Sequence, residues 1–213
     1  MTGRARRSGR PGTPVGGGED APGYWDDQAD RFDEEADHGL RDPAVRAAWR
    51  DLLVSRLPEP GAAIADLGCG TGSLSCLLSQ EGYLVSGVDS APRMVATARA
   101  KAAELGVEAT FVVGDAASPP LVEGSFDAVL VRHVLWAMPD PSGAVAGWVR
   151  LLRPTGRLLL VEGRWHTGAG LTAEQTEELV SRHRSHVHVE HLTDEALWGG
   201  PVSDERYVVL SEA

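Results

Sequence analysis

Cysteine is nearly absent: Cys69 and Cys76 are the only two among 213 residues. Their spacing fits neither a zinc pattern nor a redox pair, and so low a count points to a reducing, cytoplasmic setting. Long apolar runs are missing as well. The longest span only a few residues, as at 158–161, which excludes a bilayer-crossing helix, and no apolar segment follows the basic start as a signal peptide requires. No internal repeat occurs at solenoid periods. Basic residues are scarce beyond the first few positions. Residues 1–18 hold Arg4, Arg6, Arg7 and Arg10 and no acid, so the remainder carries all 31 acids against 16 bases, a formal charge of −15. A body that acidic repels phosphate backbones, which argues against a nucleic-acid partner. Twelve of the first 18 residues are Gly, Pro or Arg and none is aromatic. Such a composition predicts a disordered leader over 1–19, followed by one domain over 20–213.

What is present has a clear order. Tyr24, Trp25, Ala29 and Phe32 recur at helical spacing among acids and predict a short amphipathic helix. Asp42-Pro43 reads as a cap with proline in the first turn, opening a helix that carries Val45, Ala48, Trp49, Leu52 and Leu53 on one stripe. From residue 62 the pattern becomes short apolar runs alternating with helical stretches. Strands are expected at 62–67, 84–89, 111–113, 126–131 and 158–162. The helices between them are expected at 73–79, at 91–105 with Ser90 as its cap, and after the fourth strand to near residue 152. Near-continuous apolar strands separated by helices predict a parallel sheet covered on both faces. Residues 172–181 read as a last helix, and 186–192 and 206–210 as two strands without a helix between them, hence an antiparallel hairpin.

The densest signal follows the first strand: Asp66-Leu67-Gly68-Cys69-Gly70-Thr71-Gly72. In an open parallel sheet the ligand lies beyond the carboxyl ends of the strands, where strand order reverses, and glycines there let the backbone come close to it. Two further carboxylates strengthen this reading. Asp89 ends the second strand, where an acid can accept from ribose hydroxyls, and Asp115 follows the third, where an acid can accept from an exocyclic amine. A nicotinamide dinucleotide is the rival ligand, but its fingerprint requires glycine at the position held by Ser73.

The segment Ile64-Ala65-Asp66-Leu67-Gly68-Cys69-Gly70-Thr71-Gly72 resembles the first motif of the class I S-adenosylmethionine-dependent methyltransferases. Val88-Asp89-Ser90, Gly114-Asp115-Ala116, Phe126-Asp127-Ala128-Val129 and the stretch from Leu151 to Leu158 resemble its later blocks, in order. The resemblance covers about residues 20–211. It implies a Rossmann-like α/β fold with seven strands, the last inserted antiparallel between the fifth and sixth, and helices on both faces. It also implies S-adenosyl-L-methionine as cofactor and a small-molecule acceptor. Asp66, Gly68, Cys69 and Gly70 are then expected around the methionine half, and Asp89 on the ribose. Met94 or Ser90 would lie against the adenine, and Asp115 and the Ala116 N–H on its edge. Tyr24 and Phe32, within a helical lid over 20–58, would cover the cofactor, with Arg132 beside it. A cofactor-binding scaffold or sensor without transfer activity is the alternative from a different class.

Methyl transfer from a sulfonium is an in-line displacement, so the protein mainly aligns, desolvates and sometimes deprotonates the acceptor. His133, in Arg132-His133-Val134-Leu135-Trp136 after the fourth strand, is the candidate base, because imidazole ordinarily titrates near neutrality. A histidine that merely fixes a loop is the competing reading. The Asn-Pro-Pro-Tyr-like pattern of nucleic-acid amino-methyltransferases is absent here, as is an acid-rich metal site. His186, His188 and Glu190 would share one face of a strand, but alternation alone, with polar residues in water, accounts for them, so no metal is assigned. Trp136 and Trp165 are expected near the pocket mouth and Trp49 and Trp148 in the core.

Overall fold

The computed structural model describes residues 21–212; the expected leader at 1–19 lies outside the described residues. Seven strands form one sheet: β1 (Ala63–Leu67), β2 (Leu84–Asp89), β3 (Thr110–Val113), β4 (Phe126–Arg132), β5 (Leu152–Arg164), β6 (His186–His191) and β7 (Glu205–Glu212). Their spatial order is β3-β2-β1-β4-β5-β7-β6. β1 pairs in parallel with both β2 and β4, and β4 with β5, whereas β7 runs antiparallel between β5 and β6. The order therefore reverses beside β1, between β2 and β4, and the expected topology is the observed one. β5 starts earlier than its apolar run suggested. Leu152 already pairs with Phe126, and a register shift before Ala128 absorbs the turn-forming Pro154 and Gly156.

The helices are α1 (Ala21–Gln28), α2 (Ala36–Gly39), α3 (Pro43–Val54), α4 (Ser73–Gln80), α5 (Pro92–Leu105), α6 (Pro141–Leu151) and α7 (Ala173–Ser181). Strand alternation builds two cores. Ile64, Leu130, Leu159 and Val208 meet Trp49, Leu53 and Leu77 from α3 and α4. Ala65, Val129, Leu160 and Val209 meet Trp148 and Val180 from α6 and α7. Asp42 caps α3 as its sequence predicts, accepting from Ala44 N at 2.7 Å with Pro43 at the first position. Along β6, His186, His188 and Glu190 are exposed while Val187 and Val189 pack inward, so simple alternation accounts for the histidines of this edge strand.

Two expectations change. Ser90 does not cap α5: Ala91 holds that position without a side-chain bond, and the Arg93 N–H is taken at 2.7 Å by Asp26 Oδ1 from α1. A carboxylate brought by tertiary contact thus replaces the local hydroxyl at a donor-rich helix start. Phe32 lies outside α1, in a separate 3-10 turn, because the helix stops at Gln28.

Trp148 is fully buried and its indole donates to the Ala116 carbonyl at 2.7 Å, tying the β3–β4 loop to the core. Trp148→Ala is expected to cost about 3–5 kcal/mol in denaturant unfolding, from the lost transfer energy and the cavity. Trp148→Phe, which keeps a ring but orphans the carbonyl, is expected to cost about 2 kcal/mol. Equal losses for the two would show that the ring carries none of the packing.

Candidate functional site

Asp66, Asp89 and Glu162 lie within the last three residues of β1, β2 and β5, and Asp115 and His133 follow β3 and β4, so the sheet delivers all five toward one rim. The loop 68–72 turns sharply there. Gly68 has φ +71 and a Cβ would sit 2.2 Å from the Val134 side chain; at Gly70, φ +53, it would meet the Phe32 ring at 3.2 Å. Any side chain at Gly68 would collide with the segment after β4, which explains the residue at that position.

Asp89 organises this rim. Its Oδ2 accepts from Gly70 N at 2.8 Å and its Oδ1 from Ala91 N at 2.9 Å. Each oxygen keeps a further lone pair. Burial raises its pKa, and the two N–H groups oppose that rise. Asp66 is buried beside it, accepts from Ser75 Oγ at 2.5 Å, and is pushed up to about 6, with burial the main cause. The half-buried Cys69 thiol is held well above its usual range by burial and by both carboxylates, so it is no nucleophile at neutral pH. Asp115 is exposed, with Oδ1 accepting from Ala117 N at 2.8 Å.

The segment before β1 divides in two. α3 belongs to the main core through Trp49, Leu52 and Leu53, whereas the chain from α1 to α2 covers the loop. Phe32 is edge-on to Trp25 and stacked on His38 at 4.3 Å, while Ala29 packs with the buried Met94. Tyr24 stands edge-on to Trp25 at 5.0 Å. This cover is fastened by ions. Asp33 accepts from Thr71 Oγ at 2.5 Å and faces Lys101 Nζ at 2.8 Å, and Arg93 pairs with Asp30 at 2.7 Å. Arg132 donates to the Asp37 carbonyl and lies over Trp49 at 5.0 Å.

His133 follows β4 with φ +58, one of two non-glycine residues in the left-handed region among those described; the other, Leu40, ends α2. Its N–H is held by the Val161 carbonyl at 2.9 Å. Around its ring stand Trp165 at 5.3 Å and Trp198 at 6.2 Å, with Trp136 beyond Trp165 at 5.4 Å. The buried Arg206 guanidinium lies over both Trp165 and Trp198, at 5.2 and 5.4 Å, and pairs with Asp204. Ser90 is half-buried at the rim beside Ala91.

Sequence reasoning missed Glu162, although an acid closing the fifth apolar run obeys the strand-end rule that found Asp89. Glu162 is fully buried. Its Oε1 accepts from Val134 N at 2.9 Å and Leu135 N at 2.7 Å, while Oε2 has no hydrogen-bond partner. Burial pushes its pKa up to about 8 against those two donors. The other omissions, Asp33, Asp37, His38, Trp198 and Arg206, carry no motif and are joined to the rim only by folding.

A carboxyl whose folded pKa exceeds its unfolded one binds more protons when folded, so stability falls as pH rises between the two. For Glu162 that window runs from 4.5 to about 8. Urea unfolding of the wild type is expected to weaken from pH 5 to pH 8, and Glu162→Gln to flatten the decline by up to about 1.4 kcal/mol per pH unit. An unchanged slope in the variant would remove Glu162 from this role.

Comparison with known proteins agrees with this geometry. Residues 65–160 match the family described as a methyltransferase domain. A ubiquinone biosynthesis O-methyltransferase of Xylella fastidiosa (strain 9a5c) is 32% identical over 142 residues, covering 65% of this chain and 53% of that protein. The enzyme of the same name from Xanthomonas campestris pv. campestris (strain B100) is 37% identical over 121 residues, covering 55% and 49%. The chain thus spans about half the length of these curated relatives. Among solved structures, the (4+2)-cyclase SpnF superposes with a TM-score of 0.67 at 22% identity, covering 78% of this chain and 79% of the cyclase. Magnesium protoporphyrin IX methyltransferase from Synechocystis PCC 6803 with bound SAM gives 0.63 at 23%, covering 78% and 77%. At such identities these two speak for the fold alone.

Proposed function

We propose that the chain is a class I S-adenosylmethionine-dependent methyltransferase and transfers the methyl group of S-adenosylmethionine to a small organic acceptor. The observation that carries this reading is the Asp89 carboxylate, locked by Gly70 and Ala91 at the end of β2 with lone pairs to spare. A carboxylate so held can accept from both ribose hydroxyls without reorganising. Asp115, with one oxygen engaged by Ala117, and the Ala116 N–H take the adenine edge; Met94 and Ser90 take its face. Gly68, Cys69 and Gly70 surround the methionine half, where the buried Asp66 and the nearby Asp89 favour its cationic ammonium and sulfonium. Phe32 and Tyr24 cover the cofactor from α1 and the turn after it, and Arg132 holds α2 in place through Asp37.

The acceptor enters beside His133, Trp136 and Trp165, whose rings suit a flat molecule. The relatives named as O-methyltransferases favour a hydroxyl there. A hydroxyl must shed its proton as it attacks, and His133 assists that loss. Such an active site needs no nucleic acid or membrane, and no helix among the described residues is long and apolar enough to cross one.

Titration with S-adenosylhomocysteine tests the cofactor assignment. Asp89→Ala is expected to weaken binding by more than tenfold, the worth of a charge-assisted hydrogen bond. Unchanged affinity, or tight binding of a nicotinamide dinucleotide by the wild type, would overturn it. For the acceptor side, His133→Asn keeps a residue tolerant of positive φ. It should cut turnover by about 10²- to 10⁴-fold, the usual worth of proton-transfer assistance, with homocysteine-cofactor affinity retained. Near-normal turnover in a screen of hydroxylated aromatics would reduce His133 to a loop residue.

A further inference from the structure

Among the described residues, the two non-glycine ones with left-handed backbones, His133 and Leu40, bracket one small cluster. Leu40, φ +50, ends α2 immediately after His38 and Gly39, and His133 is itself at φ +58. Strained backbone gathers where surrounding structure fixes a side chain for use. Between them, one ligand-type atom each from Asp37, His38 and His133 lies within 4.8 Å of the others. The Asp37 carboxylate and His38 Nε2 are 3.8 Å apart. The rings are held from outside the cluster. His38 stacks on Phe32, His133 stands edge-on to Trp165, and the His133 backbone is pinned to Val161.

We propose that Asp37, His38 and His133 form a binding site for a divalent transition-metal ion of zinc type, bridging α2 to the segment after β4. Two imidazoles and one carboxylate are the donor set of open zinc sites, which keep a fourth position for water or substrate. Bonds near 2.0–2.1 Å require donor atoms about 3.3 Å apart, so adjustments of side-chain torsions of about an ångström complete the site. All three residues are half-buried, which partly shields the ion from water. Arg132, next to His133 in the chain, donates to the Asp37 carbonyl and is countered by the Asp37 side chain and by Asp66 and Asp33. Metal charge is therefore not opposed by an unbalanced guanidinium.

The ion has two consequences. It clamps the cover over the glycine loop, because Asp37 and His38 come from the segment before β1 and His133 from the body. Resting on the function proposed above, it also carries the proton-loss assistance assigned to His133, which then acts by holding the ion and not as a base. A hydroxyl bound at the open position is acidified, as water is on zinc, and releases its proton to solvent before its oxygen takes the methyl group and S-adenosylhomocysteine departs.

The test is direct titration of chelator-stripped, tag-free protein with zinc chloride, and with cobalt chloride for its visible d–d absorption. One equivalent is expected to bind at micromolar concentration or tighter, raising the melting temperature. Asp37→Asn, His38→Ala and His133→Asn should each weaken binding by at least tenfold and abolish the thermal shift. The double variant His186→Ala, His188→Ala removes exposed histidines far along the sheet and should bind as the wild type does. No zinc binding by the wild type, or binding lost only in the double variant, overturns the site. Titration of the same stripped protein with S-adenosylhomocysteine reports separately on the cofactor reading, so either proposal can fail while the other stands.

Discussion

Where strands run parallel and both faces are covered, a sheet offers a ligand the ends of its strands, and that constraint arranges the rim of this protein. Strands β1 to β5 point the same way, so whatever follows each of them reaches a common rim. Asp66, Asp89 and Glu162 lie in the last residues of their strands, and Asp115 and His133 just beyond theirs. Neither face can hold a ligand, because α3 and α4 close one and α6 and α7 the other. The glycine loop turns where strand order reverses beside β1.

The rim is electrostatically unfinished. Burial raises Asp66, Asp89 and Glu162 above ordinary carboxyl values, which is the signature of acids removed from water without full compensation. For Asp66 and Asp89 a cationic ligand would supply the missing charge. Glu162 differs, since its work is done on the backbone of Val134 and Leu135, holding the turn that presents His133. A neutral acid at physiological pH suffices for that, because a protonated carboxyl still has an accepting oxygen.

The cover over the glycine loop is built from charge pairs and rings rather than from a continuous core. Lys101, the chain's one lysine, gathers Asp33, Thr71 and Ser73, and Arg93 gathers Asp26 and Asp30. Exposed pairs such as Arg93 with Asp30 contribute little each. Contacts of this kind open at modest cost, whereas α3, anchored by Trp49 to the Leu197 carbonyl at 2.7 Å, stays with the body. The same fold carries a cyclase among its structural neighbours, so the chemistry resides in the side chains around the rim and not in the sheet.

Alternating apolar runs and helical stripes made the strands, the helices between them, the terminal hairpin and the glycine loop legible in the sequence, because each depends on local periodicity and on short turns. The insertion of β7 between β5 and β6 was expected only from the family resemblance. Asp89 and Asp115 were legible too, since strand ends are marked by the pattern itself. Glu162 obeyed the same rule, yet its isolation from solvent depends on α6, α7 and β7 closing around it. The cap of α5 was misplaced for a related reason: Ser90 is adjacent in sequence, but Asp26 arrives from 67 residues away and carries a full charge. Asp37 and His38 stand 95 or more positions before His133. No spacing rule connects them. Only the docking of α2 against the turn after β4 does so, because it is a packing event between distant segments and leaves no periodic trace in the chain.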